Sequence, residues 1–242
     1  MKLSDMIGEN EIITVVGAGG KTSFIKYFAN FYRDKLKVLL TTTTKIYLPD
    51  EKDYDNIFMT IDGTSIPSIC HGVTVCGSCI NNENKIVGIK LSDLEKMIDK
   101  FDLVLIEGDG SKRKKLKGWN DGEPVVYCKT TKTIGILDIT SFGMDINEEN
   151  IHRLDEFKKI TNLNMRNIND NSTVNLDNLK NVVLNPKGLF KNYHGKKILF
   201  INKVENEMYE SLAINLIKII KEHESEIDIF YGSIKQNFCI RY

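Results

Sequence analysis

The sequence predicts an α/β protein: a mostly parallel sheet flanked by helices, with one β-hairpin and a small helical insertion. Three observations carry this expectation. Apolar β-type runs alternate with helical patterns, the order that builds a parallel sheet. The first run, "EIITVV" (11–16), passes through a glycine-rich stretch straight into a helical pattern. A later run, "DLVLIEGDG" (102–110), reads as a second buried strand that ends in acid and glycine.

The elements follow in order. Phe24, Tyr27, Phe28 and Phe31 recur at three- and four-residue spacing, which predicts a helix over 20–34. "KVLLTTTTK" (37–45) is a second strand, ending in four threonines and a lysine. "GVTVCGSCI" and "KIVGIK" flank "NNEN" and read as a hairpin. A helix is expected over 91–101, capped by Ser92. "TIGILDIT" (133–140), "KKILFINKV" (196–204) and "EIDIFYGS" (226–233) complete the strands, with a helix over about 205–222 between the last two. The 242 residues suffice for one large domain or two small ones. With no internal repeat, no low-complexity linker and four prolines, the chain reads as one domain over 1–242, with a polar, partly helical insertion at about 150–195.

Charge is balanced, 33 basic against 33 acidic residues, so neither a nucleic-acid nor a membrane partner is expected. "MKLSDMIGENE" has no apolar core of a signal peptide, and the longest apolar runs are too short to span a bilayer. Five cysteines, an odd number, point to a reducing cytoplasm.

"VVGAGGKTS" (15–23) has the glycines, lysine and hydroxyls of a phosphate cradle, although Val15 stands where G-x-x-x-x-G-K-[ST] has its first glycine. A loop between strand and helix presents backbone N–H groups at the positive end of the helix dipole. Gly17, Ala18, Gly19 and Gly20 form the turn, and the glycines let the backbone approach an anion closely. Lys21 would reach the terminal phosphates, and Thr22, with Ser23 as the alternative, would place a hydroxyl on Mg²⁺. The expected ligand is a magnesium-bound nucleoside triphosphate, GTP or ATP. Glu107 and Asp109, at the end of a strand, are the expected metal acids, one on the ion and one orienting a nucleophile. With Lys21 they form the expected catalytic set. Thr43, Thr44 and Lys45 end the second strand on the same edge and are candidate substrate contacts, although β propensity alone would account for the threonines.

"ILFINKVE" leads into Asn202, Lys203 and Glu205, close to the Asn-Lys-x-Asp with which guanine-specific proteins read their base; Glu replaces Asp here. Ser233, in the later "YGSIK", falls where such proteins have a last base-contacting loop. "CHGVTVCGSC" sets Cys70, His71, Cys76 and Cys79 within ten residues and suggests zinc. A three-residue offset on a strand, however, points Cys76 and Cys79 to opposite faces. Small buried hydrophobes are the preferred reading, unless a tight turn falls at Gly77–Ser78.

"VVGAGGKTS", "TTTTKI", "IEGDGSKRKKLKG", "GEPVV", "IHR" and "INKVE", taken together and in this order, resemble the YqeC family. Its members are regarded as accessory proteins of selenium-dependent molybdenum hydroxylases. The resemblance runs across most of the chain. It implies a cytoplasmic P-loop NTPase-like fold and a maturation role, with a molybdenum hydroxylase client or its cofactor as partner. The sequence departs from the family pattern at Gly108, where alanine is expected, and at Gly118, Trp119 and Asn120, which replace an Ala-Pro-Ala-like run. Carried onto this sequence, the motif offers Ser111, Lys112, Arg113 and Lys117 as a basic flap, with His152 and Arg153 opening a helix. The flap reads either as a solvated charged loop or as a clamp for a second anionic substrate, such as a phosphorylated or pterin-phosphate ligand.

Three activities follow. One is hydrolysis of, or phosphoryl or nucleotidyl transfer from, a nucleoside triphosphate. Another is a nucleotide-gated assembly module with little intrinsic catalysis, which would form a homodimer on nucleotide. The last is a binding module without turnover.

Overall fold

The structure is a computed structural model and describes residues 3–62, 71–163 and 172–242. The chain runs β1 (Glu11–Gly17), α1 (Lys21–Tyr32), β2 (Lys37–Thr42), β3 (Lys45–Tyr47), β4 (Asn56–Met59), β5 (Gly72–Gly77), β6 (Lys85–Val87), α2 (Leu91–Glu95), β7 (Leu103–Glu107), β8 (Leu116–Lys117) and β9 (Lys132–Asp138). It continues with β10 (Ile151–His152), α3 (Leu154–Ile160), α4 (Leu176–Leu184), β11 (Lys196–Asn202), α5 (Glu207–His223), β12 (Asp228–Ser233) and β13 (Phe238–Arg241).

Nine strands form one sheet in the order β13-β12-β11-β9-β1-β7-β2-β5-β4. Every neighbouring pair is parallel except β12 with the edge strand β13. The acid-ending β7 lies directly beside β1, with Val15 paired to Glu107. The strand order reverses around β1, which places a crevice outside its carboxyl end, the usual ligand position in an open α/β sheet.

Alternation along the strands divides the core. Ile13, Val15, Ile198 and Phe200 face the cluster under α1, which supplies Phe24, Ile25 and Phe28. Val16, Leu199 and Ile201 face the opposite cluster with Phe157 of α3, Leu179 and Val182 of α4, and Leu216 and Ile220 of α5. Period-two side chains sort to opposite faces of a strand, so the same sequence runs feed both layers. Residues 150–195 contribute α3, α4, Leu189 and Phe190 to that second cluster.

Several boundaries differ from expectation. β2 stops at Thr42, because Thr42 Oγ1 turns onto the Glu107 carbonyl (2.9 Å) and accepts from Thr44 N (3.0 Å), which bends the chain. β5 is a parallel strand of the main sheet, not a hairpin arm. The hairpin around "NNEN" begins only after Gly77, with Asn81 N bonded to the Lys85 carbonyl at 2.9 Å. β6 pairs antiparallel with β3. α2 is short and has Lys90, not Ser92, at its N-cap. Among the described residues, no helix is long and apolar enough to cross a membrane.

Candidate functional site

The glycine-rich turn falls between β1 and α1, and the departure at Val15 is accounted for by its position. Val15 is fully buried in β1, paired with Glu107 and Ile134. The turn begins two residues later. Gly17 (φ 100°), Gly19 (φ 82°) and Gly20 (φ 139°) carry the positive dihedrals, so position 15 needs only extended backbone. A Cβ on Gly19 would lie 2.2 Å from Asp138 Cβ, and one on Gly20 2.3 Å from Asn202 Nδ2. α1 starts at Lys21 with Gly20 at its N-cap and no capping side chain. Its first-turn amides, unsatisfied within any helix, therefore meet the cleft uncovered.

The floor of the site is a network of buried charge. Lys21, 3% exposed, sets its ammonium 2.6 Å from the Gly17 carbonyl, 3.3 Å from Asp109 and 3.9 Å from Glu107. Thr22 Oγ1 donates to Glu107 Oε2 at 3.0 Å. Ser23 lines the cleft, but the contact with Glu107 belongs to Thr22. Burial pushes the Glu107 carboxyl above the ordinary carboxylate range, against the pull of Lys21 and Thr22.

Asp109 differs from its neighbour. It is fully buried and does not line the cleft. Its oxygens accept from Gly17 N (3.1 Å) and Trp119 Nε1 (2.6 Å), and Lys117 sits 3.2 Å away. Burial alone would raise its carboxyl, but the Lys21 and Lys117 ammoniums and these N–H donors outweigh burial and hold it low. The expectation of Asp109 as a metal acid or nucleophile-orienting base is corrected: its lone pairs are committed beneath the loop, whereas Glu107 faces the cleft.

The cleft encloses about 1190 Å³ and is lined by the loop from Gly19 to Ser23, by Thr43, Thr44 and Lys45, by Ser111, Lys112 and Arg113, and by His152 and Arg153. These elements, far apart in sequence, are thus brought together. Ten Lys or Arg residues line it against three acids, Asp50, Glu107 and Glu123, so the cleft carries an excess of positive charge. His152 lies on the two-residue strand β10 rather than opening a helix, and Arg153 is the N-cap of α3 with φ 57°. Burial and the nearby cations Lys117, Arg153 and Lys112 push His152 down to about 4, so its imidazole is neutral at pH 7.

The base-reading expectation is redrawn. Asn202 is 3% exposed; its amide donates to the Gly19 carbonyl (3.0 Å) and accepts from Ile234 N (3.3 Å). With both ends engaged it holds the loop and has no free edge for a base. Glu205 accepts from Ser233 Oγ at 3.0 Å, and neither residue lines the cleft. Of the four, only Lys203 does, 2.5 Å from Asp138.

Sequence reasoning did not single out Trp119, Glu123 or Asp138 as site residues. Glu123 receives Arg153 through two N–H groups (3.1 and 2.9 Å) and Lys117 at 3.0 Å. It was visible only as the acid of "GEPVV". Gly118 packs so closely that a Cβ would lie 2.3 Å from Phe157 N, and a Cβ on Gly108 would lie 2.8 Å from Thr14 Cγ2. These contacts fit glycine at both departures from the family pattern.

Of the cysteine cluster, Cys70 lies outside the described residues. Cys76 is buried in β5, its thiol pushed up to about 12 by burial, and Cys79 is half-buried beyond the bend at Ser78. Among the described residues, no three His, Cys, Asp or Glu side chains are grouped to hold a metal.

The YqeC protein family profile matches residues 13–155, more than half of the chain. That span carries the loop, Glu107, the flap and Arg153. The chain is also similar to the "Uncharacterized protein YqeC" of Escherichia coli (strain K12), 29% identical over 240 residues, covering 95% of this chain and 90% of that protein. No solved structure matches. The matched span and the near-complete coverage of that relative place the chain in the YqeC family.

Proposed function

We propose that the phosphate loop binds a magnesium-bound nucleoside triphosphate, GTP or ATP. The observation that supports this reading is the uncapped start of α1 behind three positive-φ glycines, with Lys21 and the Thr22–Glu107 pair beside it. Polyphosphate would take the first-turn amides and the Lys21 ammonium. Mg²⁺ prefers hard oxygen donors. Thr22 Oγ1 and the Glu107 carboxylate, side by side at the cleft floor, are such donors, and a cation there would offset the desolvation of Glu107. When bound, the ion neutralises charge on the phosphates. Thr22 Oγ1 and the Glu107 carboxylate would hold the ion, Lys21 would bind phosphate oxygens, and Asn202 fixes the loop through the Gly19 carbonyl.

The nucleotide-gated reading gains from one contact set. Asp109 is withdrawn beneath the loop, and Glu123 is held by Lys117 and Arg153. Among the described residues, that leaves Glu107 at the loop for a nucleophile, and it already accepts from Thr22 and pairs with Lys21. Slow intrinsic turnover, with nucleotide acting as a switch that favours a homodimer, follows from that shortage. The family resemblance suggests maturation of a selenium-dependent molybdenum hydroxylase as the process so switched.

Equilibrium binding of GTP, ATP and CTP with magnesium is the test. Lys21→Ala should weaken triphosphate binding by more than a hundredfold with the fold intact; parental affinity in that variant would remove the site assignment. Asn202→Ala should weaken all three nucleotides alike, and Glu205→Ala should leave their relative affinities unchanged, because Glu205 is held by Ser233 and does not line the cleft; a selective loss of GTP would restore a base-reading role for Glu205. Turnover measured alone and with a purified client then separates an autonomous NTPase from a gated module.

A further inference from the structure

The cleft is larger than one nucleotide needs. Small-molecule pockets run to roughly 300–1,000 Å³, and this one encloses about 1190 Å³. Its two ends differ in how their cations are used. Lys21 and Lys203 at the loop end are held by buried carboxylates. At the flap end, Lys45, Lys112, Arg113 and Lys115 line the cleft with no ion-pair partner among the described residues; Arg113 lies 4.1 Å over the Tyr47 ring.

The backbone adds an independent observation. Nine described non-glycine residues have positive φ: five are asparagines, which tolerate that region, and the other four are Lys112, Arg113, Arg153 and Lys203. All four line this cleft. Left-handed backbone is costly for a long side chain and persists where function holds it. Lys112 and Arg113 are both exposed, and the Arg113 ring contact is to Tyr47, which lines the same cleft.

The geometry points to a second ligand subsite at the flap end, for a phosphomonoester held by Lys45, Lys112, Arg113 and Lys115 beside the nucleotide. A dianionic phosphate suits four unpaired cations better than a monoanion does, and the guanidinium fork matches its oxygens. A small ligand fits better than a nucleic acid, because the excess cations lie within a cleft of a chain with balanced charge. The low His152 titration, driven partly by Lys112 and Arg153, reports the same positive field. This inference deepens the nucleotide reading and rests on it only for the identity of the neighbouring ligand.

The test is titration of phenyl phosphate into the full chain, with and without a saturating non-hydrolysable GTP analogue and magnesium. The parent, Lys21→Ala and the double variant Lys112→Asn/Arg113→Asn are compared; asparagine keeps the left-handed backbone and removes the charge. The parent should bind phenyl phosphate saturably with the analogue present, and the His152 imidazole should titrate at higher pH in the complex. Lys21→Ala should retain that binding. The double variant should lose at least tenfold in phenyl phosphate affinity, keep nucleotide affinity within about threefold and melt no lower than the parent. No saturable binding to the parent, or binding abolished by Lys21→Ala and untouched by the double variant, overturns the second subsite and leaves the nucleotide reading standing. Phenyl phosphate binding that depends on Lys112 and Arg113 in a chain that binds no nucleotide supports the subsite and overturns the nucleotide reading instead.

Discussion

The two ends of one cleft arrange their polar groups in opposite ways. At the β1–α1 loop the groups offered to the cleft are backbone amides, the strained positions are glycines, and the lysine is buried among carboxylates. At the flap the groups are side chains, the strained positions are lysine and arginine, and the charges at 112 and 113 are exposed and unpaired. The loop's one charged side chain, Lys21, is answered from below by Asp109 and Glu107. At the flap, Lys112 and Arg113 have no ion-pair partner among the described residues, and Arg113 lies over the Tyr47 ring.

The largest expected effect tests how the loop is supported. Asp109→Asn strands the Lys21 and Lys117 ammoniums and should cost about 3–5 kcal/mol in denaturant unfolding, as removal of one partner of a buried pair does. Glu107→Gln should cost far less in stability, because burial already opposes that charge, yet should weaken magnesium-dependent nucleotide binding at least tenfold. Equal stability losses would erase the distinction between the two acids. The pH dependence separates them further. Asp109, held low when folded, contributes stability that is present above the unfolded carboxylate range near 4 and is lost as pH falls below it. Glu107, held high, has the opposite sign: the fold binds its proton more tightly than the unfolded chain does, so its contribution declines as pH rises from about 4.3 through its folded value.

Next in size is Gly19→Ala. With φ 82° and a Cβ placed 2.2 Å from Asp138 Cβ, it should destabilise the fold by about 1–3 kcal/mol and abolish triphosphate binding. Unimpaired binding would mean that the loop's shape is irrelevant to the cleft.

His152 sharpens the picture of the flap end. Its folded value of about 4 lies below the ordinary 6.5. The unfolded chain therefore binds its proton more tightly between these values, and stability falls as pH drops from 6.5 to about 4. His152→Asn should flatten that segment of the unfolding free-energy profile, and NMR titration of the parent should find the imidazole still neutral at pH 5.5. An ordinary titration would mean that the flap cations do not act on it. The smallest effect is expected for the double variant Lys112→Asn/Arg113→Asn, which should gain a few tenths to about 1 kcal/mol in stability by relieving two left-handed residues. A clear loss would show that the flap's own contacts, not a ligand, keep those residues.

Legibility followed sequence distance. The glycine-rich turn could be read because its glycines, lysine and threonine are consecutive and the strand and helix around it announce themselves by period. Glu107 could be read as a strand end. Its difference from Asp109 could not, because β7 ends at Glu107 and Asp109 lies beyond it, where strand alternation no longer fixes a shared face. Trp119 and Glu123 have no local signal, since they matter only through Asp109, Lys117 and Arg153. Asn202 was misleading for the same reason: its dipeptide suggests base recognition, but its amide closes on Gly19, 183 residues away in sequence.

By itself the sequence determined the alternation of strand and helix, the parallel sheet with its loop at one edge, and the family. The first two follow from periodicity and from the chemistry of adjacent residues, which need no partner from elsewhere in the chain; the family follows from the resemblance of its motifs. Only the tertiary structure decided which acid faces the cleft, what Asn202 holds, and that the flap's cations converge on the loop. Each of these depends on charges and hydrogen bonds between segments remote in sequence, and such contacts acquire a geometry only when the sheet brings the segments to one edge.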